Sequence, residues 1–371
     1  MSRGSRRPHR QPDYVNPRHV EDHWKIYRHG VYLEKPVRRL PAWLLPLLVL
    51  LLLVVLIFWA GPALVTLFQA AEGENPDDTP QIIETLYDAS WQTVRVPVAD
   101  VFTEPDLKAD RLTQVIYNEP VHLLEADAGY GFIAIETVDG SRGYIRQAHL
   151  SALRDSIEPG RHLRRLVVAS ASKRVMSHAS RGTLLTEVYM GTVLYADYEG
   201  DSLYRVTLPD GGFGWMSGEG LIVLDPQEAI AVPQDGGRYF SNSALAFNKV
   251  TTLGNGQTVA GASLSGIARI AASVNGVVLP RSHVAQQSAG VPVLFRQEEV
   301  TGLTDLSVIR TGDLIFFRDE KAPDQISGPA ICIGGTQVLF ARRNDTSIRV
   351  YDLAQTDDLN SQIIQIRRIF N

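Results

Sequence analysis

The 371 residues include a single cysteine, Cys332. An intrachain disulfide is therefore excluded, and so is any cysteine-rich metal site, whatever the redox state of the compartment. Positive charge is also short, with 36 Lys and Arg against 41 Asp and Glu and a formal net charge of -5. Because many of those bases crowd the first 39 positions, the rest of the chain is more acidic than the total suggests, and nucleic acid is not an expected partner. Histidine is sparse, and His283 is the only one after His178. No set of side chains has metal-ligand spacing, and the glycine-rich stretches do not follow a phosphate-binding pattern. Neither a metal nor a cofactor is expected.

Charge of either sign is missing altogether from residues 40–68, and Trp43 and Trp59 stand near the two ends of the most apolar part. About 20 such residues at roughly 1.5 Å each span a hydrocarbon core of about 30 Å, with tryptophans at the interfaces. One transmembrane helix in contact with the lipid bilayer is expected over 40–68. A cleaved signal peptide is not, since the apolar core and the segment before it are too long and residues 68–71 offer no small-x-small site. Bases such as Arg3, Arg6, Arg7, Arg38 and Arg39 precede the run, whereas Glu72, Glu74, Asp77, Asp78, Glu84 and Asp88 follow it before the first base, Arg95. The basic side stays in the cytoplasm, so the expected protein is single-pass, with a basic cytoplasmic tail over 1–39 and its C-terminal domains outside. The arginines of that tail either set topology or meet anionic lipid or nucleic acid.

Residues 69–91 read as an acidic linker and a short helix over 81–91, capped by Thr79 and begun by Pro80. From Thr93 the pattern turns to short alternating strands, and an internal repeat appears. Asp139-Gly140-Ser141-Arg142-Gly143-Tyr144-Ile145 recurs as Asp210-Gly211-Gly212-Phe213-Gly214-Trp215-Met216, and Leu150 and Leu221 close the two copies. In each copy Asp-Gly supplies a positive-φ hairpin turn, and the second glycine permits close backbone approach. Two small all-β barrels, over 92–153 and 166–224, are expected. Their closing stretches resemble those of bacterial SH3-like domains, a resemblance that implies cell-wall peptide binding or the positioning of a neighbouring domain. Tyr130, Phe132, Tyr204 and Trp215 are the candidate binding aromatics, with plain core packing as the competing reading.

A second linker covers 225–240. Beyond it Ser263 can cap a helix in which Ile267, Ile270, Ala271 and Val274 recur at helical spacing and Asn275-Gly276 ends the element. Leu279-Pro280-Arg281-Ser282, Gln286-Gln287, Gly312-Asp313-Leu314-Ile315-Phe316-Phe317 and a hairpin turning at Gly334-Gly335 follow, giving a helix packed on an antiparallel sheet. This order of segments over 241–371 resembles the NlpC-type cell-wall peptidases, papain-like cysteine endopeptidases acting on peptidoglycan stem peptides. The resemblance implies an α+β papain-like domain. The whole chain is then multidomain, with one transmembrane helix, two SH3-like barrels and this C-terminal domain.

The same resemblance places the family's cysteine at Leu264, its histidine at Gly328 and the residue orienting that histidine at Phe340. None of these can be nucleophile, base or orienter, so no catalytic residue is assigned and the domain is expected to be no enzyme. Arg281 and His283 are candidate binding residues along the family's cleft, and Cys332 reads as a small buried hydrophobe. Ser263 and Ser265, with His283, are the groups from which a displaced hydrolytic site would have to be built. Three readings stay open: a non-catalytic envelope protein that binds peptidoglycan stem peptides or a cell-wall enzyme, an active wall hydrolase with displaced chemistry, and a pure protein-interaction scaffold.

Overall fold

A computed structural model describes residues 86–318 and 326–370. The uncharged run over 40–68, with the membrane helix and bilayer contact expected of it, lies outside the described residues, as does the tail over 1–39. Residues 86–90 form bends and turns, and Trp91 already opens a strand. The described end of the expected 81–91 helix is thus not helical. Asp88 accounts for this locally, because its carboxylate accepts from the Ser90 amide at 2.9 Å and so favours a turn over a helix.

Seven strands follow: β1 (Trp91–Val94), β2 (Val98–Phe102), β3 (Arg111–Ile116), β4 (Pro120–Gly129), β5 (Phe132–Thr137), β6 (Arg142–Arg146) and β7 (Leu150–Ser151). They make one antiparallel sheet in the order β3-β2-β6-β5-β4-β1-β7. The next seven are β8 (Arg164–Val168), β9 (Ser172–Met176), β10 (Leu184–Tyr189), β11 (Val193–Gly200), β12 (Leu203–Thr207), β13 (Phe213–Ser217) and β14 (Leu221–Leu224). Their order, β10-β9-β13-β12-β11-β8-β14, is the same permutation shifted by one copy. Val94, Val101, Val115, Ile135 and Ile145 fill the first core, and Leu166, Val175, Leu194, Val206 and Met216 fill the second. Gly140 and Gly211 both hold φ of 83° in the Asp-Gly turns, a conformation that glycine adopts without the clash of a Cβ.

The remainder is a helix-on-sheet layer. Helices α1 (Gly236–Leu245) and α2 (Leu264–Ser273) pack on a six-stranded sheet of β17 (Val291–Pro292), β18 (Asp313–Phe317), β19 (Ala330–Gly334), β20 (Gln337–Phe340), β21 (Arg349–Asp352) and β22 (Ile363–Arg368), ordered β17-β22-β18-β19-β20-β21. The little hairpin β15 (Gln257–Thr258) and β16 (Gly261–Ala262) precedes α2, and one-turn helices α3 (His283–Gln286) and α4 (Asp357–Asn360) flank the sheet. Phe240, Phe247, Ile267, Ala271, Leu314 and Phe316 are buried between helices and sheet, together with Val167 and Met190 from the second repeat. The described residues belong to one compact unit.

The expected fold class is thereby corrected. The described chain is mostly antiparallel β-sheet with few helices, and among the described residues no helix is long and apolar enough to cross a membrane. The reason lies in segment length: α1 and α2 have ten residues each, about 15 Å at helical rise.

Candidate functional site

The site is built on the N-terminus of α2. Ser263, at extended φ and ψ, accepts a hydrogen bond from the Gly266 amide at 3.1 Å, the arrangement that starts a helix cleanly. Its own amide and hydroxyl donate to the Gly256 carbonyl at 2.9 and 3.2 Å. Any Cβ on Gly266 would sit 2.1 Å from that carbonyl oxygen, so a glycine is needed for the loop to lie against the first turn. Leu264 is thereby held at the first helical position, packed partly against both cores of the layer.

Opposite it runs the strand pair β19 and β20 with the segment entering β19. A Cβ built on Gly328 would lie 3.4 Å from the Leu264 Cβ. Phe340, at the end of β20, is 4% exposed and packs against Phe317 with the rings tilted and their centroids 4.8 Å apart. His283 opens α3, whose cap Ser282 accepts from the Ala285 amide at 3.1 Å. Gln286 pins that helix in place, its Nε2 donating to the Ser265 carbonyl at 2.9 Å and to the Pro280 carbonyl at 2.7 Å. Leu264, His283, Gly328 and Phe340 thus share one cleft of about 360 Å³, with Arg318, Arg342 and Gln362 also lining it. The adjacent bases Arg342-Arg343 just past Phe340 were a legible signal that sequence reasoning passed over.

Electrostatically the floor is apolar and part of the lining is basic. Arg342 spans the edge: its Nη1 donates to Asp358 at 2.7 Å and its guanidinium lies 5.2 Å from the Tyr351 ring centroid. That hydrogen bond holds the Asp358 carboxyl below its ordinary value. Burial, then the hydrogen bond to Asp345, pushes the Tyr351 hydroxyl up to about 12. The Ser263 hydroxyl is committed to the cap, and Ser265 Oγ lies 3.4 Å from it. Among the described residues neither hydroxyl is hydrogen-bonded to His283. Leu264, Gly328 and Phe340 supply no nucleophile or base, so any proton transfer in this cleft falls to groups such as His283 and the Ser327 hydroxyl.

The other candidates lie elsewhere. Arg281, two residues before His283, turns away from the cleft into ion pairs with Glu119 and Asp139, both at 2.6 Å, and its side chain is 8% exposed. Phe132 and Tyr204 are core residues, Phe132 packed edge-on against Phe102 and Tyr204 bonded to Glu199 at 3.0 Å. Tyr130 is 94% exposed beside Leu107. Trp215 lines a groove of about 640 Å³ on the second sheet with Lys173 and Glu187. Cys332 is wholly buried, and burial pushes its thiol up to about 11. No group of side chains suited to a metal ion occurs among the described residues.

No family model and no curated protein matches the chain. Solved structures do. An NlpC/P60 family protein from Bacillus cereus superposes over 76% of this chain and 100% of its own length, with a TM-score of 0.64 at 18% identity. An NlpC/P60 endopeptidase from Photobacterium damselae superposes over 80% of this chain and 74% of its own, with a TM-score of 0.51 at 13% identity. The chain shares the fold of these NlpC/P60 proteins. The expectation of a non-enzyme is corrected by the same finding: the fold is one that an endopeptidase carries, and three substituted positions do not establish inertness.

Proposed function

We propose that the chain takes the peptide part of peptidoglycan into the cleft at the N-terminus of α2, with the two seven-stranded sheets serving as SH3-like modules over 92–153 and 166–224 and the cleft domain spanning 236–370, since α1 begins inside the expected 225–240 linker and buries Phe240 in that layer. The observation that carries this reading is the convergence of Leu264, Gly328, Phe340 and His283 in one cleft, on a fold shared over 76% of this chain with an NlpC/P60 protein. Stem peptides combine small apolar side chains with carboxylates. An apolar floor of Leu264, Phe317 and Phe340 beside Arg318 and Arg342 suits both, since guanidinium groups bind carboxylates well. Placement outside the cytoplasm, where peptidoglycan is met, is supported by the charge change across 40–68.

Co-sedimentation of the full chain with purified sacculi tests the reading. The wild type is expected in the pellet, and Gly328→Leu, which fills the space beside Leu264, is expected to release it. A wild-type protein that stays in the supernatant overturns the proposal and favours a protein partner such as a cell-wall enzyme. Soluble muropeptides in the same supernatant report whether the held peptide is also cut. Release that is lost on His283→Ala would assign the cutting to this cleft.

A further inference from the structure

Two of the segments that line the cleft, the start of α2 and the start of α3, are tied to one strand of the first repeat. β3 is the edge strand of its sheet, and edge strands leave backbone groups open for pairing. The loop before α2 takes them: Asn255 Nδ2 donates to the Arg111 carbonyl at 2.7 Å, and Gln257 Nε2 donates to the Gln114 carbonyl at 2.6 Å and to Thr113 Oγ1 at 2.9 Å. The Gln257 amide donates in turn to Gln114 Oε1 at 3.0 Å. Gly256, between Asn255 and Gln257, is the residue whose carbonyl receives the Ser263 cap, so this tie runs directly to Leu264.

The second tie is Arg281. Its Nη1 donates to the same Gln114 carbonyl at 2.8 Å, while Nε and Nη2 pair with Asp139 and Glu119. Ser282 and His283 follow at once. Arg269, on α2, links the two ties through Nη1 to Gln257 Oε1 at 2.6 Å, with its Nε 3.7 Å from Asp139. The use of Asp139 is particular to the first repeat. Its counterpart Asp210 accepts instead from the nearby Gly212 amide at 3.0 Å.

We infer that β3, acting through Gln257 and Arg281, sets the spacing of the two helix starts that bring Leu264 and His283 to the cleft, which makes Arg281 a positioning residue for the cleft. The ligand side of this inference rests on the peptidoglycan reading above. Buried, mutually bonded groups have few alternative arrangements, and displacements of about 1 Å at a binding site are costly.

The test compares Arg281→Met with Arg281→Lys in the full chain, reading amide hydrogen exchange and affinity for purified sacculi. In Arg281→Met the Ala285 amide, which donates to the Ser282 cap of α3, should exchange about tenfold faster and sacculus affinity should fall about tenfold, with the β18 core amides unchanged. Arg281→Lys, which keeps the charge, should recover most of both. Unchanged cap exchange and affinity in Arg281→Met overturn the inference, as does a uniform rise at all amides that Arg281→Lys fails to relieve. If Arg281→Met does not fold, Gln257→Leu takes its place, with the Gly266 amide as the reporter. A wild type that ignores sacculi would sink the peptidoglycan reading alone, and the exchange comparison would still decide the positioning role.

Discussion

Asp139 holds two places at once, as the first residue of a hairpin turn and as the partner of Arg281. Burial alone would raise its carboxyl, but the Arg281 charge and the hydrogen bonds from Thr137 and Arg281 outweigh that and keep it below the ordinary value. A depressed folded-state value means that the pair contributes fully above the ordinary carboxylate range near about pH 4 and fades as pH falls through the lower value. Asp139→Asn should therefore cost about 2 kcal/mol at neutral pH, less than a fully buried pair because part of the site meets solvent. In urea unfolding at about pH 3 the difference from wild type should shrink. Cys332 gives a second residue-scale prediction: with its thiol buried and pushed up to about 11, labelling at pH 8 should follow unfolding rather than precede it. Its character as a small hydrophobe was legible in the sequence. The destination of Arg281 was not, because its carboxylates lie 162 and 142 positions away and only the folded chain brings them near.

Among elements, α2 was legible almost to the residue, because a cap, a helical repeat of apolar positions and a glycine with positive φ at Gly276 all agreed. Ser263→Ala should cost about 1 kcal/mol, by loss of the cap. The start of β1 was missed because Asp88 diverts the backbone through a side-chain hydrogen bond that an apolar pattern does not reveal. α3 was missed as well, since four residues are too few to show a period. In the repeats the second glycines are tightly enclosed: a Cβ on Gly143 would meet the Phe102 carbonyl at 2.6 Å, and one on Gly214 would meet Val175 Cγ1 at 2.2 Å. Gly143→Val and Gly214→Val should each destabilise by roughly 1–3 kcal/mol through crowding, measured by thermal or urea unfolding. Of the two, Gly143→Val strikes a backbone oxygen, which cannot swing aside as a side chain can.

For the molecule as a whole, the repeat was visible as a pair of matching turns, and its depth shows in two sheets with one strand order. The helix-on-sheet layer was legible from segment order. The described chain is more strongly β than the expected fold class, because its helices are short while each repeat contributes seven strands. Four of the candidate site residues, Leu264, Gly328, Phe340 and His283, meet in the cleft, whereas the aromatic candidates scatter over the two repeats, since alternation along a strand does not say which face a ligand would use. The most direct measurement is photo-crosslinking of the full chain with a stem peptide carrying a photoreactive group, read by peptide mass spectrometry. The predicted result is attachment around residues 263–266, 327–328 and 340–343, reduced by Gly328→Leu. Attachment confined to the groove beside Trp215, or none above an unrelated peptide, would contradict it.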